Sequence, residues 1–116
     1  MQMLKLAILI ATLLLAGAGS AEEPARPGFA SCAAYYFLAA RGHGMQDYDR
    51  LYSAGEFSLN EAARRHGRPA AEQRMGEASG QMMTAIGQDW RNIKVLDDTY
   101  GASCETLLRD TNYTGF

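Results

Sequence analysis

The side chains able to do chemistry in this 116-residue chain are few and scattered. Its two histidines, His43 between glycines and His66 ahead of Gly67, have no carboxylate or cysteine at metal-ligand spacing. A solvated loop residue at His43 and a histidine favoured by the negative end of a helix at His66 are expected instead. Met75, Met82 and Met83 are thioethers of the kind that hold soft copper ions, and Met75 and Met82 share a helical face. Methionine is equally an ordinary core filler, and that role is expected here. Asp47 with Asp49, and Asp97 with Asp98, place carboxylates close in sequence. Residues one or two apart on a helix point in different directions, so neither pair can work as an acid and base in one cleft. Solvated faces are expected for them, with Asp47 suited to a helix N-terminus. Ser79, in Gly76-Glu77-Ala78-Ser79-Gly80, is off-centre between its glycines and follows no strand, which excludes a nucleophile elbow. The expectation is therefore a non-enzymatic protein with no catalytic residues, metal or cofactor.

The remaining reactive pair is Cys32 and Cys104, with nearly the whole domain between them. A redox-active pair usually has two intervening residues, whereas an even, minimal count in an exported chain points to one structural disulfide. Closing so long a loop stabilises a small fold by roughly 4 kcal/mol in chain-entropy terms. For a core this small, a contribution of that size can decide whether it folds.

Export is expected from the N-terminus. Lys5 follows a short start, Leu6 to Leu15 is apolar apart from Thr12, and small residues run from Ala16 to Ala21 before Glu22 and Glu23. That order is the order of a secretory signal peptide, so residues 1–21 are expected to be removed, with Ala18 the second choice of cleavage point. The apolar part falls short of the roughly 20 residues needed to span a bilayer, and no cysteine stands at the cleavage point to take a lipid. A periplasmic or secreted protein with no stable membrane anchor after cleavage follows. The whole chain carries a net charge of −2, and losing Lys5 makes it more negative. Neither nucleic acid nor an anionic membrane is an implied partner.

The elements that must position these residues are all helical. Residues 22–30, with two prolines and no apolar periodicity, read as a flexible lead-in. The bundle domain is expected over 31–110. Its first helix starts at Ser31 as N-cap, runs through Ala40 and stops at Gly42, and is apolar on nearly every side. The second runs from Met45 to His66 as one amphipathic helix, bent at Gly55 if anywhere. Ser58 and Glu61 have capping-box spacing, which keeps a break near Gly55 as the alternative. The third runs from Pro69 to Gly87 with Ala71, Met75, Ala78, Met82 and Ile86 inward. Gly76, Gly80 and Gly87 weaken it by about 1 kcal/mol each relative to alanine, which suggests close backbone packing there. The fourth runs from Asp89 or Arg91 to Arg109, and Thr111 to Phe116 is expected to be a flexible tail. Asn112-Tyr113-Thr114 matches the glycosylation sequon. Tyr113 and Phe116 together have the form of a barrel-strand end, but no alternating strand pattern is present to build a barrel. An all-α, antiparallel bundle of about four helices follows, with the disulfide joining the first and last.

The aromatic supply is what this architecture does not absorb. Tyr35, Tyr36, Trp90 and Tyr100 are candidates for a contact surface, since one end of such rings tolerates water. Tyr48, Tyr52, Met75 and Met82 are candidates for an apolar pocket between helices. In size and in its two far-spaced cysteines the chain is similar in general form to small exported helical bacterial proteins, among them acid-stress chaperones and toxin-neutralising immunity proteins. No residue role is carried over from that likeness. The expected function is protein binding, as an inhibitor, immunity or chaperone-like accessory protein acting on another exported protein. The alternative is a carrier of a small apolar ligand.

Overall fold

A computed structural model describes residues 23–116. The signal peptide expected over 1–21 lies outside the described residues. Four α-helices make an antiparallel bundle: α1 (Phe29–Gly42), α2 (Tyr48–His66), α3 (Arg68–Ala85) and α4 (Ile93–Asp110), the last preceded by one 3₁₀ turn, Trp90–Asn92. Among the described residues there is no strand, only an isolated bridge between Glu23 and Arg26. No described helix is long and apolar enough to cross a membrane.

Helix α1 is the centre of the molecule. Eleven of its 14 residues are buried, five of them alanines, and it packs against all three other helices. Alanine favours the helix and leaves room for neighbouring backbones to approach on every side. Its start corrects the sequence reading. The N-cap is Gly28, Phe29 and Ala30 are buried inside the helix, and Ser31 is an interior residue. Burial of the Phe29 ring under the Arg65 guanidinium, 4.8 Å from its centroid, extends the helix back past the better capping residue.

Helix α2 is continuous through Gly55. The glycine is there for packing rather than bending. A Cβ at Gly55 would lie 2.7 Å from the Phe37 ring, so only hydrogen lets α1 and α2 meet at that depth. Ser58 is not a cap. It is fully buried, and its hydroxyl donates to the Ala54 carbonyl oxygen at 2.8 Å, which satisfies it within the helix. Gly67, at φ 87°, turns the chain directly into α3, where Pro69 takes one of the first two positions and loses no hydrogen bond.

Gly76 and Gly80 on α3 have nothing within 4 Å of where a Cβ would stand, so the close packing suggested by the sequence is not there. Met82 is fully buried while Met75 and Met83 pack at the edge of the core, which is the filler role expected of them. Close approach occurs instead at Gly42, where an added Cβ would lie 2.5 Å from the Ile93 side chain and push α1 off the start of α4.

Cys32 and Cys104 form the disulfide that joins α1 to α4, with Cα atoms 5.5 Å apart. The C-terminal segment is packed, contrary to the tail expectation. Asn112 adopts φ 67°, the Tyr113 amide donates back to the Leu108 carbonyl, and the Tyr113 ring lies 4.8 Å from Phe57. Phe116 reaches Tyr36 at 6.2 Å and sits beneath the Arg109 guanidinium. Two large apolar rings gain more from burial than the short segment loses in chain entropy.

Candidate functional site

The disulfide brings α1 and α4 side by side, and the residues that flank it line a cleft of about 310 Å³. Helix α1 contributes Tyr35 and Tyr36, and the loop after it His43 and Asp47. Helix α2 adds Arg50, α4 adds Asp97, Gly101 and Glu105, and Phe116 closes one end. That volume is at the lower end of the range for small-molecule sites, about 300–1,000 Å³.

Asp97 organises the cleft. Its Oδ1 accepts the Tyr35 hydroxyl at 2.8 Å, and its Oδ2 lies 2.8 Å from His43 Nε2. Both carboxylate oxygens are engaged, so the tyrosine ring, the carboxylate and the imidazole hold one another in place. The solvated face expected for Asp97 is therefore corrected, while His43 keeps the exposed loop position expected of it. The reason is burial: a phenol hydroxyl at the buried end of Tyr35 needs an acceptor, and a carboxylate one turn into α4 supplies it. Gly101 leaves the space beside that hydroxyl open, since an added Cβ would lie 3.4 Å from it.

Tyr36 is different. It is only 3 % exposed, and its hydroxyl is the one buried side-chain polar atom without a hydrogen-bond partner among the described residues. An unmade hydrogen bond at such a group costs about 1–3 kcal/mol. Burial, and then the nearby Glu105 carboxylate, push the Tyr36 phenol far above the ordinary tyrosine range. Burial, and then the carboxylate of Asp97, do the same to Tyr35. Both phenols stay neutral and available as hydrogen-bonding groups throughout the physiological range.

The charged groups of the rim are loosely paired. Asp47, held at φ 62° where the chain enters α2, lies 3.4 Å from Arg50, and Glu105 Oε2 lies 3.0 Å from Arg109. All four side chains are more than 40 % exposed, so these pairs are weak. Asp47 does not cap α2 with its side chain.

Of the contact surface expected at Tyr35, Tyr36, Trp90 and Tyr100, little is exposed. Tyr35 and Tyr36 are buried, Tyr100 is half-buried and stacks on Tyr35 at 6.1 Å, and Trp90 is half-buried elsewhere. The rings fill the seams around the alanine-rich α1, whose small side chains leave that volume to be occupied. The expected pocket is not assembled either. Tyr48 and Tyr52 stack on each other at 5.6 Å, Tyr52 is exposed and touches Phe37, and Met82 belongs to the packed core. Tyr48 lines a shallow recess of about 270 Å³ shared with Trp90 and Met45.

A signal for this cleft is present in the sequence. Tyr35 lies one helical turn beyond Cys32, and Asp97 two turns before Cys104 on the same face of α4. In antiparallel helices joined at those cysteines the two positions point into one seam. No protein-family model, curated protein or solved structure matches this chain.

Proposed function

We propose that this protein is an exported, non-enzymatic binding module that works by contact, and that its contact site is the cleft between α1, α4 and the loop after α1. The observation that carries this reading is the Tyr36 hydroxyl, buried without a partner among the described residues on a side chain that lines the cleft. A fold has no stability reason to retain it, and a bound group that completes its hydrogen bond does. The fixed Tyr35–Asp97–His43 set supports binding over turnover, because each of its members is committed to holding another. The disulfide fits a protein that works outside the cytoplasm.

The test is a nuclear magnetic resonance titration of the oxidised protein with small cationic, anionic, neutral and apolar probes. The expected result is that one class shifts the resonances of Tyr36, His43, Asp97 and Gly101 together. A panel that leaves all four unmoved overturns the reading. The second reading, a carrier of a small apolar ligand, is favoured by one observation: Met45 is 86 % exposed at the rim of the recess beside Tyr48 and Trp90. Shifts confined to those three residues would select it.

A further inference from the structure

The last three residues are held to the bundle by one side chain. The final backbone hydrogen bond of the chain runs from the Tyr113 amide to the Leu108 carbonyl, and among the described residues the backbone N–H groups of Thr114, Gly115 and Phe116 donate to nothing. Gly115 lets the chain turn back over its neighbour, since an added Cβ there would strike the Tyr113 hydroxyl. Phe116 then lies 6.2 Å from the Tyr36 ring and 5.1 Å from that of Tyr113, with the Arg109 guanidinium 5.1 Å from its own centroid. The ring remains half-buried, and it lines the cleft together with Tyr36. The groups whose charge acts on the Tyr36 hydroxyl are Glu105, Tyr113, Arg50 and Arg109. A residue of the tail and the residue that clamps its last ring thus stand around that oxygen.

Closing this end of the cleft has opposite effects on two neighbouring groups. Covering Phe116 and Tyr36 removes ring surface from water, which favours the closed position. The same cover keeps water from the Tyr36 hydroxyl, which has no partner among the described residues, and the unmade hydrogen bond opposes closure. For one half-buried ring and one hydroxyl the two effects are of similar size. We infer that residues 114–116 are a strap over the cleft, in which Phe116 is a removable cover that lifts to let water or the cleft's occupant reach the Tyr36 hydroxyl. The part that lifts is short. Turns at Thr114 and Gly115 carry the ring away, while the contact of Tyr113 with Phe57, 4.8 Å between centroids, keeps the rest of the segment docked. The strap is a gate on the binding role proposed above, and its use in binding rests on that role.

A double-mutant cycle on the full oxidised chain tests the cover without any ligand. Phe116→Ala in the unaltered protein loses ring burial and restores water to the hydroxyl, and the two changes largely offset. In a Tyr36→Phe background there is no hydroxyl to restore. Phe116→Ala should there lower the folding equilibrium constant about tenfold further than it does in the unaltered chain, the size of one hydrogen bond. Equal losses in the two backgrounds overturn the inference. A second measurement needs only the single variant and serves if Tyr36→Phe does not fold. Burial holds the Tyr36 phenol far above the ordinary tyrosine range in the closed form. In Phe116→Ala one more tyrosine should therefore ionise near pH 10 than in the unaltered chain, read as phenolate absorbance. An unchanged number of titrating tyrosines places the cover elsewhere in the fold and overturns the inference likewise. Removing Gly115 and Phe116 together should reproduce both results. The probe titration given above tests the binding role separately: four unmoved resonances remove that role, while coupling between Phe116 and Tyr36 in the cycle keeps the strap.

Discussion

His43 and Asp97 meet at 2.8 Å although 54 positions separate them in the chain, because the end of α1 lies beside the first turn of α4. The same carboxylate holds the Tyr35 hydroxyl at 2.8 Å with its other oxygen. One aspartate thus ties an exposed ring and a buried ring to a single point, and the two ties have different strengths.

Asp97→Ala leaves the buried Tyr35 hydroxyl without an acceptor and should lower the folding free energy by about 1–3 kcal/mol. His43→Ala breaks a pair whose side chains are 41 % and 26 % exposed, where water screens the interaction, and should cost no more than about 1 kcal/mol. Urea unfolding of the two variants checks the order. A loss at His43 equal to or larger than that at Asp97 would contradict the assignment of Asp97 as the organising residue.

The disulfide spans a sequence separation of 72 residues, and removing it frees the unfolded chain more than it frees the folded one. Reduction, or a double Cys32→Ala, Cys104→Ala variant, should lower stability by roughly 4 kcal/mol. Guanidinium titration with and without thiol reductant measures this directly, and coincident curves would count against it.

Tyr35 and Tyr36 have phenols whose ionisation is resisted in the fold, by burial first and by Asp97 or Glu105 second. In the unfolded chain a tyrosine ionises at about pH 10. Because the folded values are raised, the stability these residues contribute is fully present below that pH and is lost as pH rises above it. Unfolding midpoints should be nearly level from neutral pH to about pH 10 and then fall, and Tyr36→Phe should flatten the fall. A phenolate absorbance rise from all six tyrosines before unfolding would show the two rings to be open to solvent.

Glycine substitutions should divide by position. Gly76→Ala and Gly80→Ala add a methyl into open space on an exposed helix face, and each should stabilise by about 1 kcal/mol. Gly42→Ala and Gly55→Ala drive a methyl into Ile93 and Phe37, and each should destabilise by about 1–3 kcal/mol. Thermal unfolding of the four single variants is sufficient to check the signs.

The parts of the fold that follow from periodicity were legible in the sequence. The apolar phase across Gly55 specified one continuous α2, and the placement of Cys32 and Cys104 on the first and last helices specified their bond. Where two local signals competed, packing decided. Ser31 is a better cap than Gly28, yet burial of Phe29 moved the helix start, and two rings drew the last six residues onto the bundle. The cleft is not legible in local stretches of the sequence, because neither Asp97 nor His43 has a partner among its near neighbours there. Their relation exists only across the seam between α1 and α4. The tyrosine pair shows its ring area in the sequence, while the pairing of one hydroxyl and not the other depends on how α1 packs.

Helix α4 leans chiefly on α1 and touches α3 only lightly, whereas α1, α2 and α3 pack on one another. The last helix is in effect an arm on a three-helix body, held by one sulfur–sulfur link and by the buried Ile93, Leu96 and Leu108. Opening that link should release the arm before the body melts, with amide hydrogen exchange accelerating over 93–110 ahead of the rest. Since one wall of the recess is the arm itself, a reducing environment would abolish the recess while most of the molecule kept its shape. The binding proposed for the recess should therefore be lost on reduction.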